Sequence, residues 1–485
     1  MMKIEKVTVE NYKIYKGVHD FDFNGKLVLF VGENNTGKST LFEVINFIKS
    51  GLPKEKDISD IRNKFSAKTD PVSCTIKFTG QIKQVIRDFS EPKYEKYVVV
   101  DKNNLETLTI QRSSKERTIK QNGKDVKLDI KKITIWNPEL NQFENPSGID
   151  TVISTLFETQ FVWADTDPSD VSDFGATKIC GRLLTAAAGD FFKSEQWNKF
   201  SEIHKETFHG DIDSLSKRTQ IIEERINDIL ASQYGKADIH FNFSLPEPSI
   251  FYKAGEIFVN DGVDTKLNDK GTGMQRAVAL AMIQVYAQSI SAHPSDSEKS
   301  KPLFFFIDEP ETCLHPKAQQ NLLRALVEIS QIRQVFISTH SPYFLGNFDA
   351  TNQDLIIFNR ENDNVRITPS KMLNLFDCGP SLGQINYKAY NLCTIEFHNE
   401  LYGYLQENEQ KYYERDIEQY FETKGIKKNK QWVCLQKGIA APSKDVTLMT
   451  FIRNTIHHPE NRQNPNFTDQ ELKDSIEMMM ALINK

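Results

Sequence analysis

The sequence predicts an α/β fold: a mixed sheet flanked by helices, with a β-rich insertion, a short helical arm and a C-terminal all-helical domain. Three observations predict it. Leu27–Val31 is a short, wholly apolar run of the buried-strand type, and it leads through a Gly-rich loop into an apolar-periodic helix (Leu41, Phe42, Ile45, Ile48). Leu303–Ile307 is a second such run, ending in two carboxylates, Asp308 and Glu309. After about residue 390 the apolar spacing becomes helical.

Taken in order, Lys3–Glu10 alternates as a strand does. From about 70 to 140, β-rich stretches (Ser73–Phe78, Tyr97–Val100, Thr107–Ile110) alternate with charged turns, the pattern of an antiparallel insertion. From about 178 to 235 the text is helical, and Asp211–Leu230 carries Leu215, Ile222 and Ile229 at heptad spacing. At ~1.5 Å per residue that helix is about 30 Å long. It suits a short hairpin arm or an amphipathic helix laid on a core, and it is too short for an extended coiled coil. Strand character resumes at Ile239–Phe243 and Ile257–Val259. A long helix (Met274–Ile290), a hydrophilic loop (Ser291–Lys301) and the strands Leu303–Ile307 and Gln334–Ser338 follow. The expected division is a head over residues 1–392 and a helical domain over 393–485. In the latter, Thr394–Gly403 reads as an aromatic-bearing amphipathic helix, packed in a core or docking a partner. Thr468-Asp-Gln-Glu471 reads as a capping box.

Composition excludes several classes of protein. With 60 basic and 66 acidic side chains among 485 residues, the formal charge is -6, so a chain-wide basic footprint for nucleic acid is ruled out. One local stretch is basic. Residues 111–132 hold Arg112, Lys115, Arg117, Lys120, Lys124, Lys127, Lys131 and Lys132 against Glu116, Asp125 and Asp129. It is either a solvated face or a contact for DNA or a DNA-mimicking protein. No apolar run approaches the ~18 residues of a membrane span, and the N-terminus lacks a secretory apolar segment. The six cysteines show no CxxC spacing, which argues against a zinc site or disulfide framework and for a reducing, cytoplasmic setting.

The chemistry concentrates at Gly32-Glu33-Asn34-Asn35-Thr36-Gly37-Lys38-Ser39-Thr40, the P-loop pattern between a buried strand and a helix. Gly32 and Gly37 let the backbone curl so that successive N–H groups face phosphate oxygens, and the helix N-terminus adds partial positive charge. Lys38 reaches the β- and γ-phosphates of ATP, and the Ser39 hydroxyl is a ligand for Mg²⁺. Asp308, at the tip of an apolar strand, can hold the Mg²⁺ shell opposite Ser39. Glu309 beside it can orient or deprotonate the attacking water. Two adjacent carboxylates at the end of such a strand are costly as mere structure.

Lys38, Asp308-Glu309, Lys270-Gly-Thr-Gly-Met-Gln-Arg276 and Ile337-Ser-Thr-His340-Ser-Pro342 together resemble the ABC-type ATPase heads of SMC, recombinational-repair and OLD proteins. The resemblance covers roughly residues 1–50 and 237–360. Asp308-Glu-Pro-Glu-Thr-Cys-Leu-His-Pro316 is similar to the SMC/OLD-like (AAA-15/AAA-21) branch rich in bacterial anti-phage ATPases, which includes the PARIS, Septu and OLD-like systems. The resemblance implies that Lys270–Arg276 is the signature segment, with Gly271 and Gly273 approaching the γ-phosphate of a nucleotide held by a second subunit. The usual signature serine is replaced here by the surroundings of Asn268 and Lys270. It implies that His340 is the γ-phosphate-sensing switch histidine. For the glutamine loop, Gln160 before Phe161-Val-Trp163 is the candidate. OLD-family nucleases carry a Toprim domain after the head. Residues 393–485 show no strand-borne acidic set of that kind, so such a domain is not expected.

The C-terminal part instead holds Phe451-Ile-Arg453-Asn454-Thr-Ile-His457-His458-Pro-Glu460. Arg453 and His458 resemble the R-x4-H pattern of HEPN ribonucleases, in which His acts as general acid or base and Arg stabilises phosphate charge. The plain alternative is a polar helix-end cluster of Arg453, His457 and Glu460.

The expectation is an ATP-binding and hydrolysing ATPase that forms a head-to-tail homodimer or higher homo-oligomer around ATP. It would control a toxic effector, a nuclease, encoded by a neighbouring gene, in abortive anti-phage defence triggered by a phage-encoded protein or DNA. The alternatives are a self-contained HEPN-like ribonuclease toxin gated by the ATPase, and a DNA repair or maintenance ATPase. The short arm and the acidic balance disfavour the last.

Overall fold

The computed structural model describes residues 2–121, 124–164, 179–188, 191–233, 235, 238–247, 250–251, 255–292, 301–346, 348–373, 375–376, 379–436 and 438–483. The chain divides into two compact units. Residues 1–164, 301–311 and 315–485 form the first, and residues 165–300 with 312–314 form the second. The C-terminal region therefore belongs to the same unit as the P-loop, whereas the helical arm and the signature segment lie in the other. Among the described residues no helix is long and apolar enough to cross a membrane.

Two sheets of the first unit share one core. The first is antiparallel, in the order Gln142–Glu144, Thr134–Asn137, Glu106–Ser113, Ser73–Thr79, Lys3–Glu10, Val18–Asp22, with Val99–Val100 added beside Glu106–Ser113. The β-rich stretch is thus antiparallel, and its two longest strands continue the sheet that Lys3–Glu10 begins. The second sheet runs Glu158–Val162, Leu303–Asp308, Gln334–Ser338, Leu27–Gly32, Gln353–Glu361, Asn364–Pro369. All its neighbours are parallel except the last pair. Three of its four inner strands, Leu27–Gly32, Leu303–Asp308 and Gln334–Ser338, are buried at every position. Parallel strands covered on both faces have no polar side to show, which is why they read as continuous apolar runs.

The helix Lys38–Ser50 packs against strands of both sheets and is buried nearly all round, through Leu41, Phe42, Val44, Ile45, Phe47 and Ile48. Phe42 meets Phe306 edge-on at 5.5 Å, and Phe78 of the first sheet stacks on Phe304 of the second at 6.1 Å. The buried Arg112 guanidinium donates to Ile48 O at 2.8 Å and to Lys131 O at 2.6 Å. A cation is favourable at this helix C-terminus. Arg112 thus drops out of the basic surface that residues 111–132 suggested; the rest of that stretch includes the hairpin Arg117–Gln121 with Lys124–Leu128.

The C-terminal region has its own core, built on Phe397, Leu401, Phe421, Trp432, Phe451 and Met479. The helix Ile395–Asn408 buries Phe397, His398, Leu401, Tyr402 and Leu405, so the stretch after Thr394 is core packing. The expected capping box forms: Thr468 N donates to Glu471 Oε2 at 2.9 Å, and Glu471 N to Thr468 Oγ1 at 3.2 Å. The region is helical but not wholly so. Lys430–Trp432 pairs with Lys444–Val446, and Leu435–Gln436 with Ile439–Ala440. Strands of two or three residues are too short for a period-2 pattern to register.

In the second unit the helices Glu195–His209 and Leu215–Gln233 form the arm. The heptad residues Leu215, Ile222 and Ile229 are 37%, 53% and 51% exposed, so this stripe is not laid on a core among the described residues. Ile239–Phe243 is not a strand. The N–H groups of Ile239 and Phe241 donate to Asn227 Oδ1 and Glu223 Oε1, side chains of the preceding helix that stand in for a neighbouring strand. Phe258–Asn260 does pair, with Asp264–Lys266. The helix expected from Met274 runs over Thr272–Ala292, and most of the hydrophilic loop, 293–300, lies outside the described residues.

Candidate functional site

The site stands at the C-terminal ends of three adjacent parallel strands, where open α/β sheets place their ligand crevice. Register brings the ends together: Asp308 pairs with Ser338, and Ser338 with Phe30, two residues before Gly32.

The P-loop is shaped by its glycines. Gly32 has φ +151°, and a Cβ there would lie 2.1 Å from Phe358 O, so only glycine fits. Gly37, at φ +103°, opens the helix, while Asn34 and Asn35 form an exposed crest. Thr36 Oγ1 donates to Glu33 O at 2.7 Å and braces the loop from within. The buried Tyr15 hydroxyl donates to Gly37 O at 2.6 Å and braces it from the first sheet's side. Lys38 Nζ donates to Gly32 O and Glu33 O, both at 2.8 Å, which aims it back across the loop. Burial pushes its ammonium down to about 8, against the pull of Glu309, Asp308 and Glu311. A phosphate would supply the charge that this buried cation lacks. Thr40, half-buried, follows Ser39 on the first turn.

Ser39 Oγ donates to Asp308 Oδ1 at 2.9 Å, and Ser338 Oγ donates to the same oxygen. A hydroxyl and a carboxylate brought together at the loop's mouth are the hard oxygen donors that Mg²⁺ takes, so the residues fit the ion. Glu309 adopts a left-handed backbone, φ +44°, unusual for a side chain of its size. Its N–H is held by Ser338 O at 3.0 Å and Ser338 Oγ at 3.1 Å. His340 Nε2 lies 3.6 Å from Glu309 Oε1. Burial, then the Lys38 charge, hold the imidazole below its usual pKa, favouring its neutral form.

Two residues that the motifs did not single out complete this cluster. Glu311 Oε1 accepts from Thr339 Oγ1 at 2.8 Å and from His340 N at 2.6 Å, tying the acid loop to the switch loop; burial raises its carboxyl. Its signal was the third acid of Asp308-Glu-Pro-Glu311. Tyr390, on the helix Leu382–Tyr390, reaches within 3.5 Å of His340 Nδ1, and no local pattern announces it.

The structure thus gathers Gly32, Thr36, Gly37, Lys38, Ser39, Asp308, Glu309 and His340. Gly271 and Gly273 lie in the second unit. There a Cβ on Gly271 would meet open space, whereas one on Gly273 would lie 2.8 Å from Cys313 O, so Gly273 is needed for packing within that unit. Gln275 Nε2 donates to Asn268 O at 3.1 Å and Lys270 O at 2.7 Å, and Lys270 pairs with Asp261, fixing the turn before the helix. Gln160 lies inside the strand Glu158–Val162, opposite Phe305, and its amide donates to Phe161 O at 3.4 Å; a strand, not a loop, holds it.

At the end of the helix Leu448–His457, Arg453 donates to Asn454 Oδ1 at 3.2 Å and lies over the Tyr402 ring. Four residues apart on one helix, His457 and Arg453 share a face, and burial, then the Arg453 and His458 charges, lower the His457 pKa. His458 caps the helix, with Nδ1 3.3 Å from Glu460 Oε1.

The chain is 29% identical over 370 residues to the Old nuclease of Escherichia phage P2, covering 72% of this chain and 58% of that protein. It is 20% identical over 378 residues to Endonuclease GajA of Bacillus cereus strain VD045, covering 72% and 57%. The chain therefore spans less than two thirds of the length of either relative. An SMC head bound to the C-winged helix domain of ScpA is similar at 17% identity and a TM-score of 0.45, covering 76% of this chain and 97% of that one. The AAA ATPase domain family (AAA_15) matches residues 2–173 and 184–345, which include every P-loop, acid-strand and switch residue named above. The chain belongs to that family and is an ATPase.

Proposed function

We propose that this ATPase is a nucleotide-driven switch of anti-phage defence, working in the cytoplasm. ATP with Mg²⁺, held at Gly32–Thr40 and Asp308, stabilises a head-to-tail homodimer or higher homo-oligomer in which Lys270–Arg276 of each copy closes the other's site, and hydrolysis releases it. A phage-encoded protein or DNA sets the switch. The output is a separately encoded toxic effector, a nuclease from a neighbouring gene. The names of the relatives, a nuclease and an endonuclease, support an ATPase coupled to nucleic-acid cleavage.

The observation that carries this reading is the convergence of Lys38, Ser39, Asp308, Glu309 and His340 at the C-terminal ends of adjacent strands. Lys38 and the loop N–H groups bind and orient the phosphates. When bound, Mg²⁺ neutralises charge on the phosphate oxygens. Glu309, held in its strained conformation, accepts the proton of the attacking water. His340 donates toward the phosphate end and reports its presence. The test is Glu309→Gln: slowed hydrolysis and a longer-lived ATP-dependent dimer support the roles, and a variant altered in neither respect sinks them. For the effector, co-purification with the neighbouring gene's product decides; toxicity of the chain alone counts against it.

A second reading, a ribonuclease gated by the ATPase and using Arg453 and His458, is favoured by one observation: Arg453 lies in the last two turns of the helix Leu448–His457 and His458 is its C-cap. If expression of the chain alone is toxic and His458→Ala cures it, this second reading replaces the separate effector.

A further inference from the structure

The helix Leu382–Tyr390 touches both the ATP site and the core of the C-terminal region. On one side it packs on the P-loop strand Leu27–Gly32 and its neighbour Gln353–Glu361. There the Asn359 amide donates to Lys388 O at 3.0 Å. On the other side it meets the helix Ile395–Asn408 so closely that a Cβ on Gly383 would lie 2.7 Å from Phe397 Cβ. The Tyr387 and Phe397 rings are 5.3 Å apart, and Ser381, the N-cap, donates to Glu400.

The last residue of this helix is Tyr390. Its hydroxyl lies 3.5 Å from His340 Nδ1. A phenol has one proton to give. Donated to His340 Nδ1, 3.5 Å away, that proton makes this ring nitrogen an acceptor. The neutral imidazole must then carry its own proton on Nε2, the atom 3.6 Å from Glu309 Oε1. An Nε2–H donor attracts a carboxylate or a phosphate oxygen, whereas a bare Nε2 repels both.

We propose that Tyr390 is a positioning residue of the ATPase site: its hydroxyl holds His340 in the Nε2–H tautomer, and the helix that carries it ties this geometry to the packing of the C-terminal region. The inference rests on His340 acting as the switch residue and goes beyond it by naming what sets the switch and where its state is read. Loss or gain of a γ-phosphate beside His340 moves Tyr390. Tyr390 moves the helix, and the contact of Gly383 and Tyr387 with Phe397 passes the shift to the C-terminal core.

The test is Tyr390→Phe, which keeps the ring and loses the hydroxyl. Its kcat is expected to fall about tenfold, as for one lost hydrogen bond to a reacting group, with the KM for ATP changed less than about threefold. In a His340→Ala background the same substitution is expected to change kcat less than about twofold, because the two residues act as one unit. Adding ATP is expected to alter amide exchange across Ile395–Asn408 in the parent and much less in Y390F. A parental kcat in Y390F beside a slow His340→Ala variant overturns Tyr390's role alone. A parental kcat in His340→Ala overturns the switch role on which it rests. Ring-nitrogen spectra of the parent chain decide without any variant at position 390: His340 with a bare Nε2 also overturns the proposal.

Discussion

The tip of the strand Leu303–Asp308 and the end of the helix Leu448–His457 both carry short patterns that look like chemistry, and the fold treats them differently. Asp308 is buried, with two hydroxyls donating to one of its oxygens, and Glu309 is held at φ +44° by the neighbouring strand. His340, from yet another loop, faces it at 3.6 Å. By contrast, Arg453 bonds the adjacent residue, and the His458–Glu460 pair is solvated, its side chains 52% and 67% exposed. An exposed pair of this kind is worth little, about 0–1 kcal/mol. The difference lies in convergence: one motif gathers polar groups 269 positions apart on a single buried carboxylate, whereas the other leaves its His458–Glu460 pair in solvent.

Several substitutions test that contrast, from the largest effect down. Glu309→Gln is expected to lower kcat by about 10²- to 10⁴-fold while ATP affinity is kept, measured by single-turnover hydrolysis beside calorimetric binding. A parental rate would place the base elsewhere and remove the chief distinction between the two regions. Lys38→Ala is expected to weaken ATP binding about 100-fold or more, since a charge-assisted contact to phosphate is lost; calorimetry reads it directly.

The third prediction concerns the C-terminal region's own buried titratable group, His398. It is fully buried and bonded to Ser475 Oγ at 2.9 Å, and burial pushes its pKa down to about 4. Because the folded pKa lies below the unfolded one, the unfolded chain binds the proton more readily. Stability is then full above about pH 6.5 and falls as the pH drops toward 4, by roughly 3 kcal/mol. Chemical denaturation of the parent against His398→Gln at pH 7 and 4.5 checks this; an equal pH dependence in both removes His398 as the cause. Glu311→Gln is expected to cost about tenfold in kcat by loosening the link between Glu309 and His340. Arg453→Ala and His458→Ala are expected to leave ATP hydrolysis within about twofold. A larger change would mean that the C-terminal helix end acts on the ATP site and is not the passive partner in this comparison.

Legibility in the sequence followed the range of the forces involved. The inner strands were readable because two-sided burial leaves a continuous apolar signature, and the P-loop because its glycines and helix start are local needs. Ile239–Phe243 looked like a strand, and side chains of the preceding helix took its backbone bonds instead. The apolar stripe of the arm promised burial, yet Ile222 and Ile229 stay exposed. The ribbons near Trp432 were too short to leave a period.

Residues Gly32–Thr40 contain what they need to curl around a phosphate: two glycines with positive φ, a lysine that folds back on the loop, and a helix that starts at once. No distant partner is required for that chemistry to be recognised. The company that loop keeps is another matter. Asp308, Glu311, His340 and Tyr390 reach it only because parallel strands end in register and because one helix packs on the P-loop strand. Register and packing are sums over many long-range contacts, and no single stretch of chain encodes such a sum.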